Sequence, residues 1–308
     1  MCPVLEGTSP DLSVAGGPSD AARPTASVRP KEPRKEIWFH RKVRLGAALR
    51  ELWAFRELTA TIAERDLRVR YKQAALGIAW AVIAPVAMTV AFTFVFHRFA
   101  KVNTGGAPPV LFYSLGLMPW TFFSGSVSNG GLSLVTNNAL LNKLYCPREV
   151  FPIAAIIDAA FDAVIAVVVV LTLLFPITGY APRVQSLYVP LLLIVLVIFT
   201  LGVTLAVSSV VVYARDLSLV LPLAIQFGLF VTPIVYPSSS ISTSKVFLLI
   251  YSAVNPLVPV IDGVRDTVLH GMAPNWASLG VGAASASLFL LGGFMLFKRL
   301  ETGMADIA

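Results

Sequence analysis

Apolar residues in this chain rarely alternate with polar ones. They gather in long runs, near Ala75–Phe96, Pro109–Leu132, Ile153–Pro176, Leu187–Tyr213, Val220–Val235 and Trp276–Phe297. An α-helix needs about 20 predominantly apolar residues to cross the hydrocarbon of a bilayer. The pattern therefore predicts an all-α integral membrane protein with six transmembrane helices. Between Ser238 and Met272 the chain is too polar, and too often punctuated by proline, to predict another crossing.

A different period precedes the first run. At 100° per residue Leu45, Leu49, Leu52, Trp53, Phe55 and Ile62 share one arc, with Arg50, Glu57, Thr61 and Glu64 opposite and Arg56 interrupting the apolar side. Such a segment, within residues 41–72, predicts an amphipathic helix in the headgroup plane. The alternative, compatible with it, is a soluble helix packed on a partner. Residues 1–40, rich in Pro, Ser, Gly and Ala without apolar periodicity, are expected to be a disordered cytoplasmic tail. They contain no apolar core of the kind a secretory signal peptide needs.

Composition agrees with a membrane protein. Of 308 residues 56% are hydrophobic and 13% charged, against about 25% charged in a soluble domain. The positive balance could mark a polyanion-binding patch, so its distribution decides. Of the 24 Lys and Arg, 14 precede Gln73. With the head inside, Lys143, Arg148, Arg215, Lys298 and Arg299 also fall inside, leaving Arg98, Lys101, Arg183, Lys245 and Arg265 outside. This is the positive-inside bias, and it predicts cytoplasmic termini, including residues 301–308. Cys2 and Cys146 then lie on a reducing side, and no disulfide is expected.

Chemistry is sparse. There is no Gly-Lys dipeptide and hence no phosphate-cradling P-loop. His40, His97 and His270 are scattered without metal-ligand spacing. No catalytic residue and no metal site are expected. Asp158 and Asp162, four apart, share one face of the third predicted span. Carboxylates in hydrocarbon usually face a bundle interior, where this pair could relay protons, touch substrate or make a polar packing contact. In the second span Trp120, Phe122 and Phe123 offer faces for sugar rings or, alternatively, an aromatic belt at the headgroups. The small Gly116, Gly125, Gly130 and Gly131 permit close helix approach.

Five blocks together resemble a known family. "RDLRVRYKQAALGIAWAVIAP", "MPWTFF", "NKLYCPREVFP", "YARDLSLVLPLAIQFGLFVTPIVYP" and "NPLVPVIDGVRDTVLHG" are similar, in order, to the membrane subunits of type-2 ABC exporters. The similarity is to the branch that exports lipid-linked polysaccharides such as O-antigen, teichoic acid or mycobacterial galactan. The resemblance implies a transmembrane domain over residues 73–300 with an outer gate segment at 238–272. It further implies a homodimer in the bacterial plasma membrane, joined to two copies of a separate P-loop ATPase that binds ATP and Mg. The chain itself would be a transport subunit holding no cofactor. Pro147, Arg148 and Glu149 would contact that ATPase from a coupling loop whose short helix Pro147 and Pro152 would bound. Arg65, Arg68 and Arg70 would meet a lipid pyrophosphate or ordinary headgroups. Pro85, Pro222 and Pro233 are candidate bends. The cargo could instead be a drug, haem or another lipid. From another class, the chain could be a membrane-embedded glycosyltransferase or a scaffold.

Overall fold

The computed structural model describes residues 50, 52–72, 77, 79–102, 104–141, 146–241, 244–301 and 303. The expected tail at 1–40, the positions Leu45, Leu49 and Cys2, and all of 301–308 except Glu301 and Gly303 lie outside the described residues. Helix α1 is Arg56–Lys72. It includes the basic block, and its buried face carries Thr59, Ile62 and Ala63. Helix α2 is Ala79–Phe92, continued in wider π-type turns to Phe99. Helix α3 is Pro109–Thr136, α4 is Val150–Val169 with further turns to Thr178, and α5 is Val189–Tyr213. Both α3 and α5 start on a proline in the first turn, where the missing N–H has no intrahelical partner to lose. Then come α6 at Leu217–Val231, α7 at Lys245–Val254, α8 at Leu257–Arg265 with a π turn to His270, and α9 at Trp276–Glu301.

Among the described residues five helices are long and apolar enough to cross a bilayer: α2, α3, α4, α5 and α9 with their extensions. The fifth predicted run departs from the pattern. Helix α6 has 15 residues, a length of about 22 Å, short of the ~30 Å hydrocarbon core. It stops because Thr232 precedes Pro233, and a residue before proline is pushed out of the α region; Thr232 has φ −88° and ψ 141°. The same rule breaks the chain again at Asn255, extended at φ −129° and ψ 94° before Pro256. There α7 and α8 bend by 117°. The Asn255 side chain seals both breaks, donating to Thr232 Oγ1 at 2.9 Å and accepting from the Leu257 N–H at 3.1 Å.

Contacts fix the direction of each helix. Tyr188 meets Trp276 with ring centroids 5.5 Å apart, Gly202 lies against Gly293, and Tyr213 donates to the Leu300 carbonyl at 2.6 Å. Helices α5 and α9 are therefore parallel, and the chain between them crosses the bundle once. Helix α6 covers the first part of that crossing, running antiparallel to α3 from Leu221 beside Gly131 to Gly228 beside Trp120. The broken chain after it carries on to Ile234, which shares Arg265 with Phe112 near the start of α3. The α7–α8 pair is a re-entrant hairpin: Tyr251 near its tip bonds the Val231 carbonyl, and Leu269 at its exit accepts from Tyr180. The gate segment expected not to cross does dip into the bundle and return.

Two apolar clusters hold the helices. One fills the hairpin end and the middle, around Leu111, Tyr113, Leu192, Leu257 and Ile261. The other, at the opposite end, joins Ile62 and Ala63 of α1 to Val150, Phe151 and Ala154 of α4 and to Phe294 and Phe297 of α9. The start of the described chain and the end of α9 thus lie at one end of the bundle, called here the α1 end.

Candidate functional site

The last two turns of α1 put the basic block against the start of the bundle. Arg70 forks across two carboxylates of α4, donating from Nη1 to Asp162 at 2.7 Å and from Nη2 to Asp158. The Tyr71 hydroxyl also donates to Asp162. The Asp158 side chain is 3% exposed, so an unpaired charge there would be costly; the guanidinium fork supplies the pairing. Burial, reinforced by the bond to Asp162, pushes the Tyr71 phenol up to about 12. From sequence alone, Arg70 is assigned a lipid pyrophosphate or headgroup, and the two Asp a proton relay, a substrate contact or a polar packing contact with no partner named. The structure brings all three together, and the signal available beforehand was charge complementarity at one depth.

Arg65 and Arg68 sit differently. Arg65 bonds Asp66 and, at 2.8 Å, Asn137 at the end of α3, and Arg68 pairs with Glu64 one turn earlier on α1. Both arginines, with Thr61, Glu64, Val69 and Lys72, line an open cavity of about 490 Å³ on α1.

The loop that leads into α4 is a turn at residues 146–149, and the helix begins at Val150. No separate short helix forms between Pro147 and Pro152 among its described residues. Pro152 lies in the first turn of α4 instead, where proline is tolerated. Arg148 is half-buried, but Glu149 is 1% exposed and points inward to Lys298, which also holds Glu301 at 2.8 Å. Burial, then the Glu301 charge, push the Glu149 carboxyl above its usual range, and the Lys298 bond opposes them. Glu149 therefore ties the loop to the end of α9. Replacement by Gln should keep the shape while leaving the Lys298 ammonium without that anion. We expect Glu149→Gln to lower the midpoint of thermal unfolding in detergent, and Arg148→Ala to leave it unchanged.

Cys146, a free thiol in the same loop, is half-buried, and burial raises its pKa while Arg148 opposes the shift. The thiolate is the reactive form. Maleimide labelling of Cys146 in the solubilised protein should be slower at pH 7 than that of an exposed cysteine, and its acceleration with pH should come at higher pH than for that exposed cysteine.

At the hairpin end the chain places a second arginine. Arg265, counted by its charge among the outer-loop residues, is 2% exposed. It donates from Nε to the Phe112 carbonyl at 3.1 Å, from Nη1 to Pro233 at 2.7 Å and from Nη2 to Ile234 at 2.5 Å. Its guanidinium carbon lies 3.7 Å from the centroid of the Phe112 ring. The broken backbone after α6 leaves carbonyls without helical partners, and the planar fork of Arg265 satisfies two of them. Gly116 makes room, for a Cβ there would fall inside contact distance of the guanidinium.

The aromatic trio of α3 is internal. Trp120 and Phe122 are buried, with Trp120 packed over Gly228 of α6. Phe123 is half-buried and stacks on Phe199 at 5.2 Å, nearly parallel at 4°. Within the single chain these rings line neither an open wall nor a headgroup rim. Among the described residues no group of three or more His, Cys, Asp and Glu could hold a metal ion.

The chain matches the family model described as ABC-2 type transporter over residues 57–269. It is 28% identical to the O-antigen export system permease protein RfbA of Klebsiella pneumoniae, over 82% of this chain and 95% of that one. It is 26% identical to the RfbA of Myxococcus xanthus, over 84% and 98% of the two chains. To the polysialic acid transport protein KpsM of Escherichia coli it is 27% identical, over 78% and 92%.

Proposed function

The chain belongs to the ABC-2 type transporter family, and from that premise we propose that it is the membrane-spanning subunit of an ATP-driven exporter of a lipid-linked polysaccharide. The observation that carries this reading is the alignment with permeases named for O-antigen export and polysialic acid transport over more than nine-tenths of their length. Galactan is the first candidate cargo. The α1 end is cytoplasmic, since the Lys and Arg of α1, of the 146–149 loop and of the end of α9 gather there.

The working unit is a homodimer carrying two copies of a P-loop ATPase. Support comes from α2 and α6, whose apolar residues Trp80, Phe94, Phe227 and Phe230 are exposed in the single chain and would face a second copy or lipid. Arg148 is the polar contact with the ATPase, with Pro147 and the inward-held Glu149 fixing the turn that presents it. Arg65 and Arg68, beside the open cavity on α1, meet the lipid pyrophosphate, whereas Arg70 is held by its two Asp. Trp120, Phe122 and Phe123 reach the sugar chain only when α3 and α6 part along the Trp120–Gly228 seam.

Affinity purification of the tagged chain from its native membrane should recover a P-loop ATPase in equal amount, with ATP hydrolysis stimulated by lipid-linked polysaccharide. Recovery of the chain without any ATPase would overturn the proposal. Within the recovered complex, Arg148→Ala should lower the stimulated hydrolysis several-fold without changing membrane insertion.

A further inference from the structure

We propose that Arg70 is a positioning residue for transport: it locks α1 to α4, so that the two helices move as one body when the partner ATPase acts on the α1 end. The inference rests on the reading as an ATP-driven exporter and names the joint through which its stroke passes.

Helices α1 and α4 are attached at two levels. Ile62 and Ala63 of α1 pack with Val150, Phe151 and Ala154 of α4 in one buried cluster. Eight residues further along α1, Arg70 bonds Asp158 and Asp162, and Asp158 is likewise eight beyond Val150 on α4. The two helices therefore run in the same direction and are joined at two places about 12 Å apart, at 1.5 Å rise per residue. The apolar cluster is non-directional, and the other polar tie of α1, Arg65 to Asn137, reaches the end of α3, so neither fixes the direction of α1 along α4. The contact made by a planar fork on two carboxylates does, because the fork fixes direction as well as distance.

Tyr71, donating to Asp162 beside the fork, narrows the permitted geometry further. The placement also explains why carboxylates occur in α4 at all. Asp158 is enclosed, so it requires a cationic partner, and that partner comes from the helix outside the spans. The loop before α4 is tied elsewhere, through Glu149 to Lys298 of α9. Two ionic joints at one end of the bundle thus serve different spans, and Arg70 assigns α1 to α4.

The test uses the complete permease–ATPase complex in lipid nanodiscs, with spin labels at Glu57 and Val164, both exposed, and a second pair at Glu57 and Leu288. Trapping with ATP and vanadate should shift the Glu57–Leu288 distance and leave Glu57–Val164 unchanged. In Arg70→Gln the Glu57–Val164 distance should change on trapping, and polysaccharide exported per ATP hydrolysed should fall several-fold at equal amounts of assembled complex. Arg70→Lys, able to meet one carboxylate, should recover part of both. Should Arg70→Gln fail to assemble, Asp162→Asn removes one arm of the fork and should loosen the same distance to a smaller degree. A Glu57–Val164 distance that changes in the wild type, or a Glu57–Leu288 distance that does not, overturns the proposal. So does an Arg70→Gln complex with wild-type distances and wild-type export per ATP. Failure of the exporter reading would look different: the wild-type complex would export no polysaccharide, whatever stands at position 70.

Discussion

Arg265→Met should leave little folded protein in the membrane. The substitution keeps an apolar stem of similar length but removes every donor to the carbonyls of Phe112, Pro233 and Ile234. Leaving a buried acceptor unsatisfied costs about 1–3 kcal/mol. The Phe112 carbonyl keeps its place in the α3 ladder, but those of Pro233 and Ile234 do not. Two such losses, about 2–6 kcal/mol, are a large part of the stability of an ordinary domain, about 5–15 kcal/mol. Arg265→Lys should be intermediate, because an ammonium retains the charge without the fork or the stacking on Phe112. Gly116→Ala should reproduce much of the Arg265→Met effect from the opposite side by displacing the guanidinium. The measurement is the fraction of detergent-extracted protein that elutes as a monodisperse complex, together with its unfolding midpoint. Near-wild-type values for Arg265→Met would show that the Arg265 fork is dispensable.

Gly293→Ala is expected to be nearly as damaging, for a steric reason. Helices α5 and α9 touch backbone to backbone where Gly202 meets Gly293. A Cβ on Gly202 would stand 2.5 Å from the Leu290 nitrogen, and one on Gly293 would press on the Gly202 carbonyl. Backbone cannot rotate away as a side-chain tip can, so the helices must separate. Overpacking a tight contact costs about 1–3 kcal/mol, and the parting of α5 from α9 would also loosen the Phe199–Phe289 contact, 5.1 Å between centroids. Gly280→Ala on α9, where a Cβ meets nothing within 4 Å, is the matched control and should be neutral. Equal unfolding midpoints for the two variants would refute the close-approach account.

Both effects concern features that the hydrophobic pattern showed only in part. Length and uniform apolarity were enough to locate α2, α3, α4, α5 and α9, since a bilayer sets the number of residues needed. The same reasoning ran through Thr232 and Pro233 as though α6 continued, because hydropathy does not register the conformational limit before proline. The sequence carried that limit twice, at Thr232-Pro233 and Asn255-Pro256, and both mark real breaks. Arg265 looked like an ordinary loop charge. Its apolar neighbours Val264, Val268 and Leu269, all buried, were the available sign that its helix is enclosed. The fork on Asp158 and Asp162 joins residues 88 and 92 positions apart in sequence, so it awaited the packing of α1 on α4. Glu149 looked exposed because a turn rich in Pro, Arg and Glu usually is; the nearby Lys298 draws it inside.

Export of a lipid-linked polysaccharide is to be tested by depleting the protein in its native cell. Lipid-linked polysaccharide should then accumulate on the cytoplasmic face, protected from a glycosidase added to intact cells and digested once the membrane is opened, while the sugar polymer at the cell surface declines. Undiminished surface polymer with no internal lipid-linked intermediate would contradict the claim.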